Sequence, residues 1–473
     1  MNWRRWVRSA AAAVGIAAAL ATGVLPAGAR QLFVPLTGHR VRPIQARTLF
    51  HTLFTDFFSE DDGTTYVQTG DIPAMWLRDS SAQSLPYVRF ARAFPVLSVR
   101  LDGVIQRDAR NILTDPYANA FQADYHVWER KWEVDSDAWP AILAWVYWRQ
   151  TGNRLLFTRD LHDALRTIVK TWLCEEHHAT CGSYAYPYRV YTNDAYDPNT
   201  GMIWDAFRPS DDPVEYRFNI PQEMFAVVAL RDIERLAIDG YADAKLARQA
   251  RALANRVETG IERYGRVWVA GRGWMWVYET DGLGDDAFMD DANIPDLTAM
   301  PYFGWCSPFD PVYLNTRAFA LSSANPWYFS GRYAQGLGSP HTPYGYVWPL
   351  GIMARAITAT SAQETAEAIT TLAETDSKDG LIHESFYPNG YWRYTRAEFG
   401  WGNALYAELV FRSVAGFPAT ALVTGGTVVP FERAGQTPAL TPALTQIYDS
   451  GLVFSALSDL LADADGRTIV SDP

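Results

Sequence analysis

The stretch HVWERKWEVDSDAWPAILAWVYW, residues 126–148, decides how the rest of the chain is read. Its first half alternates acids with indoles, setting Glu129, Glu133, Asp135 and Asp137 among Trp128, Trp132 and Trp139. From Ala138 onward apolar residues recur at helical spacing as far as Trp148, so an acidic, aromatic loop runs straight into a helix over 138–150. The same alternation recurs outward in both directions. Apolar spacing predicts further helices over 44–58, 98–113, 160–173, 222–237, 243–262, 311–322, 345–358, 361–375 and 398–413. Between them lie long segments, 59–86, 114–137, 175–221, 266–310, 325–344 and 376–397, dense in Trp, Tyr, Asp, Asn, Gly and Pro. Loops of such length in a compact protein usually carry function. Only VWVAGRGWMWVYETDG, residues 267–282, has a clear strand signal, from Val and aromatic residues around the Gly271-Arg272-Gly273 turn. The pattern reads as an all-α protein, a ring of helices with a cavity at one end, and no tandem repeat marks a solenoid.

With 473 residues, 14% aromatic and 20% charged, the chain can bury a large core. A net charge of −12 without any Lys/Arg-rich stripe would repel a phosphate backbone, which excludes a nucleic-acid partner and favours a neutral ligand. Residues 1–29 place Arg4, Arg5 and Arg8 before an Ala-rich apolar run that ends in Ala27-Gly28-Ala29. That is a signal-peptide layout, with cleavage expected after Ala29 and export to the periplasm or the exterior. No later stretch is long and apolar enough to span a bilayer, so no membrane contact is expected after cleavage. The expected division is a leader at 1–29, a main domain at 30–413 and a C-terminal extension at 414–473 packed on that domain. Cys174 and Cys181 enclose CEEHHATC, which reads either as a short disulfide loop or, with His177 and His178, as a metal cluster. Four ligands within eight residues rarely converge on a tetrahedral ion, so a disulfide is expected, with Cys306 left as a free thiol.

Three loops carry candidate chemistry. TGDIPAMWLRDSSAQ, residues 69–83, sets Asp71, Arg78 and Asp79 around Trp76, with Asp79 or Ser80 placed to cap a helix. A sugar presents vicinal hydroxyls to carboxylates and guanidinium groups and a C–H face to an aromatic ring, so this composition suits a monosaccharide. GMIWDAFRPSDDPVEYRFNIPQEMF, residues 201–225, holds Asp211 and Asp212 between Pro209 and Pro213, after Trp204 and Phe207. A partly apolar pocket there would raise a carboxyl pKa, as a general acid requires. GLIHESFYPNGYWRYTRAEFGWGNALYAEL, residues 380–409, offers Glu384. The zinc motif HExxH would need His at 387, which is Tyr387, so Glu384 is a candidate base and not a metal neighbour. His341 and Thr342, in a loop with Gly336, Ser339 and Pro343, can add hydrogen bonds to a ligand. No phosphate cradle, GxSxG elbow or dinucleotide fingerprint is present, which leaves glycoside hydrolysis by an acid and a base as the natural chemistry.

In chain order, TGDIPAMWLRDSSAQ, KWEVDSDAWP, GMIWDAFRPSDD, MDDANIPDL, LSSANPWYFSG, GLGSPHTPYGYVWPL and LIHESF resemble family 125 of the glycoside hydrolases, the exo-α-1,6-mannosidases, between about Gln68 and Leu409. The resemblance implies an (α/α)6 barrel, release of a non-reducing terminal α-1,6-linked mannose from an oligosaccharide or glycan, inversion, and no metal or other cofactor. By that resemblance the acid is Asp211 or Asp212, with Asp211 favoured, and the base is Glu384. Arg78, Asp79, Asn293, His341 and Thr342 fall in motifs expected around the terminal mannose, with Glu133 and Asp135 as weaker transfers. The chain departs from the family pattern at Ala138-Trp139, which bears on the aglycone side of the pocket. An inverting α-glucosidase or trehalase-like enzyme and a non-catalytic glycan-binding protein stand as alternatives, because fold does not set substrate.

Overall fold

A computed structural model describes residues 48, 51–186 and 195–414. The leader at 1–29, the start of the helix expected over 44–58 and the extension beyond residue 414 lie outside the described residues. The helices of eight or more residues are α1 (Leu77–Ser84), α2 (Pro95–Thr114), α3 (Val134–Thr151), α4 (Arg159–Glu175), α5 (Ile220–Tyr241), α6 (Ala244–Gly260), α7 (Pro311–Ala320), α8 (Pro349–Ile357), α9 (Ala362–Glu374) and α10 (Gly400–Val414).

These helices fall into two kinds according to how their apolar residues are spread. Outer helices α4 and α6 bury one stripe each, Leu161, Leu165, Ile168 and Trp172 in the first, Leu246, Ala250, Leu253 and Val257 in the second. Spacings of three and four residues keep each stripe on one side and turn the charged face to solvent. Inner helices α3 and α5 are buried all round over 134–145 and 220–230, as expected for elements enclosed by others. Helix α1 packs against α3 and α10, α3 against α5, and α8 against α10, while α4 covers α2, α6 covers α5 and α9 covers α8. The first and last of these helices are therefore neighbours.

Two helix starts differ from expectation. Helix α3 begins at Val134, with Glu133 at its N-cap position and Asp135 and Asp137 in its first turn. Its polar opening turn has no apolar period, yet its carboxylates suit the positive end of the helix dipole. Helix α1 begins at Leu77 behind Trp76, which makes no side-chain cap, so Asp79 and Ser80 lie inside the helix instead of capping it.

The chain is helix-rich as expected, with small sheets added between the helices. Fourteen strands of two to six residues form six small antiparallel sheets among the described residues, all outside the helices, and Phe57–Ser59 takes the end of the stretch expected as a helix over 44–58. The expected strand region pairs Arg266–Val269 with Gly273–Trp276, Trp268 facing Trp274. Unforeseen was the hairpin of Ser385–Tyr387 with Gly390–Thr395, which follows Glu384. Strands this short leave too few alternating positions to register as a period of two.

Cys174 and Cys181 are disulfide-bonded with Cα atoms 5.0 Å apart, which removes both sulfurs from the metal alternative. His178 stacks on Trp204 at 3.6 Å between ring centres and hydrogen-bonds Glu175 at 2.6 Å. Cys306 is a half-buried free thiol.

Candidate active site

Arg78 organises one side of the site from the first turn of α1, where its side chain is 4% exposed. Its Nη1 donates to Glu133 Oε2 at 2.9 Å and to Asp135 Oδ2 at 3.2 Å, its Nη2 donates to Asp211, and Asp79 stands 3.8 Å from Nε. Asp79, Glu133, Asp135 and Asp211 thus share one cation. Burial dominates at Glu133 and drives its carboxyl well above the usual range; at Asp79 and Asp135 burial outweighs Arg78 and pushes each to about 6. Asp211 goes the other way. Burial would raise it, but Arg78 and then Lys131 hold it well below the ordinary carboxyl range. Gln222, in the first turn of α5, braces the cluster: its Oε1 accepts from the Asp135 amide at 3.1 Å and its Nε2 donates to the Phe207 carbonyl at 3.0 Å.

Burial also pushes Asp56 to about 7, Asp291 to about 6 and Asp290 to about 8. A carboxyl with a raised folded pKa binds its proton more tightly in the folded chain, so its stability contribution is lost as pH climbs through that pKa. Depressed carboxyls such as Asp211 and Asp243 act only below the ordinary carboxyl range, about pH 4. The thermal unfolding midpoint is therefore expected to be higher at pH 5 than at pH 8.5. Scanning fluorimetry across that range checks the slope, and a midpoint that rises with pH would mean these acids are ionised in the folded protein.

The RPSDD loop presents Asp211 through a tight turn, in which the Asp211 amide donates to the Arg208 carbonyl at 2.9 Å. Asp211 has φ 64°, the left-handed region, a conformation that costs a non-glycine residue roughly 1–3 kcal/mol and persists only where its surroundings over-determine it. They do so here. Arg208 grips Glu279 through Nε at 2.5 Å and Nη2 at 3.0 Å, and Glu279 also accepts from the Glu215 amide at 2.8 Å, so the loop is tied down on both sides of the aspartates. Asp212 faces His341, whose Nδ1 lies 3.7 Å from Oδ2, and burial raises its carboxyl.

Glu384 precedes the 385–395 hairpin and is 6% exposed. Burial raises its carboxyl, and Arg396 and His341 pull it back down. A cavity of about 460 Å³ brings Glu384 together with Arg78, Asp79, Asp211, Asn293, His341 and Thr342. Trp76, Trp128, Trp348, Phe399 and Trp401 supply aromatic surface to the same cavity. Asn293 is held by Ser339 Oγ at 3.1 Å, and Thr342 accepts from Trp348 Nε1 at 2.8 Å.

Three of the predicted site residues are not among the lining: Glu133 and Asp135 sit behind Arg78, and Asp212 sits beside His341. Asp137 leaves the acidic wall altogether, fully buried in α3 with both carboxyl oxygens lacking a hydrogen-bond partner among the described residues. Ala138 and Trp139 are core and neither lines the cavity, although Trp139 packs on Phe225 at 4.8 Å and on the lining residue Trp401 at 6.0 Å. Sequence reasoning passed over Lys131 and gave no role to Arg396, which follows Glu384 in the same stretch; both are in the cavity lining. A single Lys or Arg in an acidic loop reads as solvated charge, and no local signal distinguishes it.

A cavity lined by carboxylates from separate loops, aromatic faces and a buried guanidinium, set on a helix-rich frame, defines the class: a helical glycoside hydrolase. The sequence profile of the metal-independent α-mannosidases, glycoside hydrolase family 125, matches residues 40–411, and the chain belongs to that family. The meiotically up-regulated gene 157 protein of Schizosaccharomyces pombe is 33% identical over 388 residues, 73% of this chain and 76% of that protein. A metal-independent α-mannosidase from Streptococcus pneumoniae, solved as a non-productive complex with α-1,6-mannobiose, is 35% identical over 79% of this chain and 94% of that one, with a TM-score of 0.75. A bacterial glucoamylase complexed with acarbose, 13% identical, is similar in fold alone, with a TM-score of 0.52 over 73% of this chain and 50% of its own. The mannosidase class sets aside the glucosidase, trehalase-like and glycan-binding alternatives.

Proposed function

We propose that this chain removes non-reducing terminal α-1,6-linked mannose from an oligosaccharide or glycan by a single inverting displacement, with Glu384 as general base and Asp211 as general acid. The observation that carries the reading is that these two carboxyls, from distant loops, line one cavity with Arg78, Asp79 and Asn293. In the reaction, ionised Glu384 takes a proton from a water that attacks the anomeric carbon, while the acid protonates the departing oxygen on the opposite face. Such enzymes hold their two carboxyl groups about 6.5–9.5 Å apart, leaving room for the water. The α-1,6-mannobiose bound by the Streptococcus pneumoniae relative supports the linkage.

Asp211 needs a proton to act as the acid. Glu133, whose carboxyl burial raises, shares Arg78 with Asp211. Substrate hydroxyls that displace Asp211 from Arg78 would weaken that ion pair and raise the Asp211 carboxyl toward the range an acid needs. Asp212 is the second reading for the acid, favoured by its raised carboxyl. The alternation of enclosed and covering helices, with α1 against α10, supports an (α/α)6 barrel with loops over one end. The Arg-bearing leader supports export to the periplasm or exterior, and the net charge of −12 a neutral glycan over nucleic acid.

Proton NMR of freshly cleaved α-1,6-mannobiose tests linkage and stereochemistry together. β-Mannose is expected as the first product, before mutarotation. Initial α-mannose would mean retention and a nucleophilic carboxylate, and no cleavage would reject the linkage.

A further inference from the structure

The guanidinium of Arg396 joins the first and last parts of the chain beside Glu384. Its Nε donates to Asp71 Oδ1 at 2.7 Å and its Nη2 to the Thr69 carbonyl at 2.5 Å, while Nη1 stands 3.8 Å from Glu384 Oε1. Two of its three nitrogens are thus committed to the TGD turn, and because the guanidinium is planar and rigid their partners dictate where the third points. The turn is itself locked against the segment that carries Arg396. Gly70 has φ +56° and passes so close to Glu398 that a Cβ there would lie 2.3 Å from its carbonyl oxygen, and the Asp71 amide donates to that oxygen at 3.2 Å. Arg396 also has a left-handed φ of 48°, and its guanidinium lies 5.1 Å from the centre of the Phe399 ring. Thr69 and Arg396 line the cavity with Glu384; Asp71 is not in that lining.

The separation of 3.8 Å is an ion pair without a short hydrogen bond, so Arg396 acts on the Glu384 charge without occupying its lone pairs, one of which takes a hydrogen bond from Thr395. The charged groups around Glu384 are Arg396, His341 and Asp71. Neighbouring His383 faces elsewhere, stacked on Tyr394 at 3.6 Å with Nδ1 3.2 Å from the Arg396 and Ala397 carbonyls.

We propose that Arg396 is a positioning residue for Glu384, and that Asp71 takes part in the reaction only by anchoring Arg396. This rests on Glu384 being the base of the proposed function. The test is the pH dependence of kcat and KM for mannose release from α-1,6-mannobiose by the full chain and its Arg396→Gln, Arg396→Lys, Asp71→Asn and Glu384→Ala variants, each with its unfolding midpoint.

Arg396→Gln is expected to lower kcat by roughly 10- to 100-fold with little change in KM. Its acidic limb should move up by about one pH unit, since removing a cation beside a carboxylate raises that carboxyl's pKa. Asp71→Asn removes an anion that raises Glu384 while loosening the anchor of Arg396, two opposed effects on the limb, so its readout is a several-fold fall in kcat at unchanged KM. Arg396→Lys keeps the charge but not the fork, so its limb should stay near the parent's while kcat falls. An unmoved acidic limb in Arg396→Gln, or a change confined to KM, overturns the proposal. Should Arg396→Gln fail to fold, the solvent-accessible Asp71→Asn decides by that fall in kcat at unchanged KM, and a parental kcat overturns the proposal. Glu384→Ala that is inactive and rescued by azide secures the base, so failure of the Arg396 series then counts against this inference alone. Parental turnover by Glu384→Ala would instead bring down the base assignment and this inference with it.

Discussion

Glu384→Gln is expected to cut mannose release from α-1,6-mannobiose by about 10²–10⁴-fold while leaving KM within a few-fold. The amide keeps the shape and most of the hydrogen bonding of the carboxyl but cannot accept the proton of an attacking water. That loss falls on an interaction made in the transition state, so it appears in kcat. Asp211→Asn should match it, because an amide cannot donate to the departing oxygen, and Asp212→Asn should cost far less. The pair separates the two candidate acids. Asp211 lies in the cavity but is held ionised by Arg78, whereas Asp212 has the raised carboxyl of an acid but faces His341. If the Asp212 variant is the one that loses turnover, the acid moves one residue along the chain.

The second large effect is structural. Arg78→Met is expected to destabilise the fold by about 3–5 kcal/mol at pH 8, the usual result of removing one partner from a buried ion pair. Four carboxyls meet at that guanidinium. Without it they must all be neutral or lie uncompensated in the interior. The sign with pH follows: near pH 5, Asp79 and Asp135 are largely protonated, since their folded pKa values are about 6, so less repulsion is uncovered. Urea unfolding of parent and variant at the two pH values checks this. An equal loss at both, or a loss under about 1 kcal/mol, would mean that Arg78 does not neutralise these acids.

Part of the site was readable from the sequence because its residue types are uncommon in their settings. An aspartate pair between prolines marks Asp211, and the stretch at 380–409 offers Glu384, before any coordinates. Helix α1 was not readable as a helix from Leu77. Six of its eight residues, Arg78, Asp79, Ser80, Ser81, Gln83 and Ser84, are polar and buried, held by contacts such as Ser80 Oγ to Asp108 at 2.9 Å. An apolar period cannot report a helix whose buried face is satisfied by hydrogen bonds from elsewhere in the chain. The first turn of α3 was missed for the same reason, which left Asp137 assigned to a loop when it is core.

Local order in the chain was enough to set the helices whose apolar residues recur every three or four positions, to separate helix from long loop, and to nominate candidate carboxyls. Those features depend on neighbours within a few positions, which a sequence displays directly. Which acids keep their protons, which residues surround a single buried guanidinium, and how Arg396 comes to lie beside Glu384 depend on burial and on charges brought together from loops far apart. Electrostatic energies change steeply with distance and desolvation. Thr69, Asp71, Glu384 and Arg396 acquire their relation only when α1 and α10 meet.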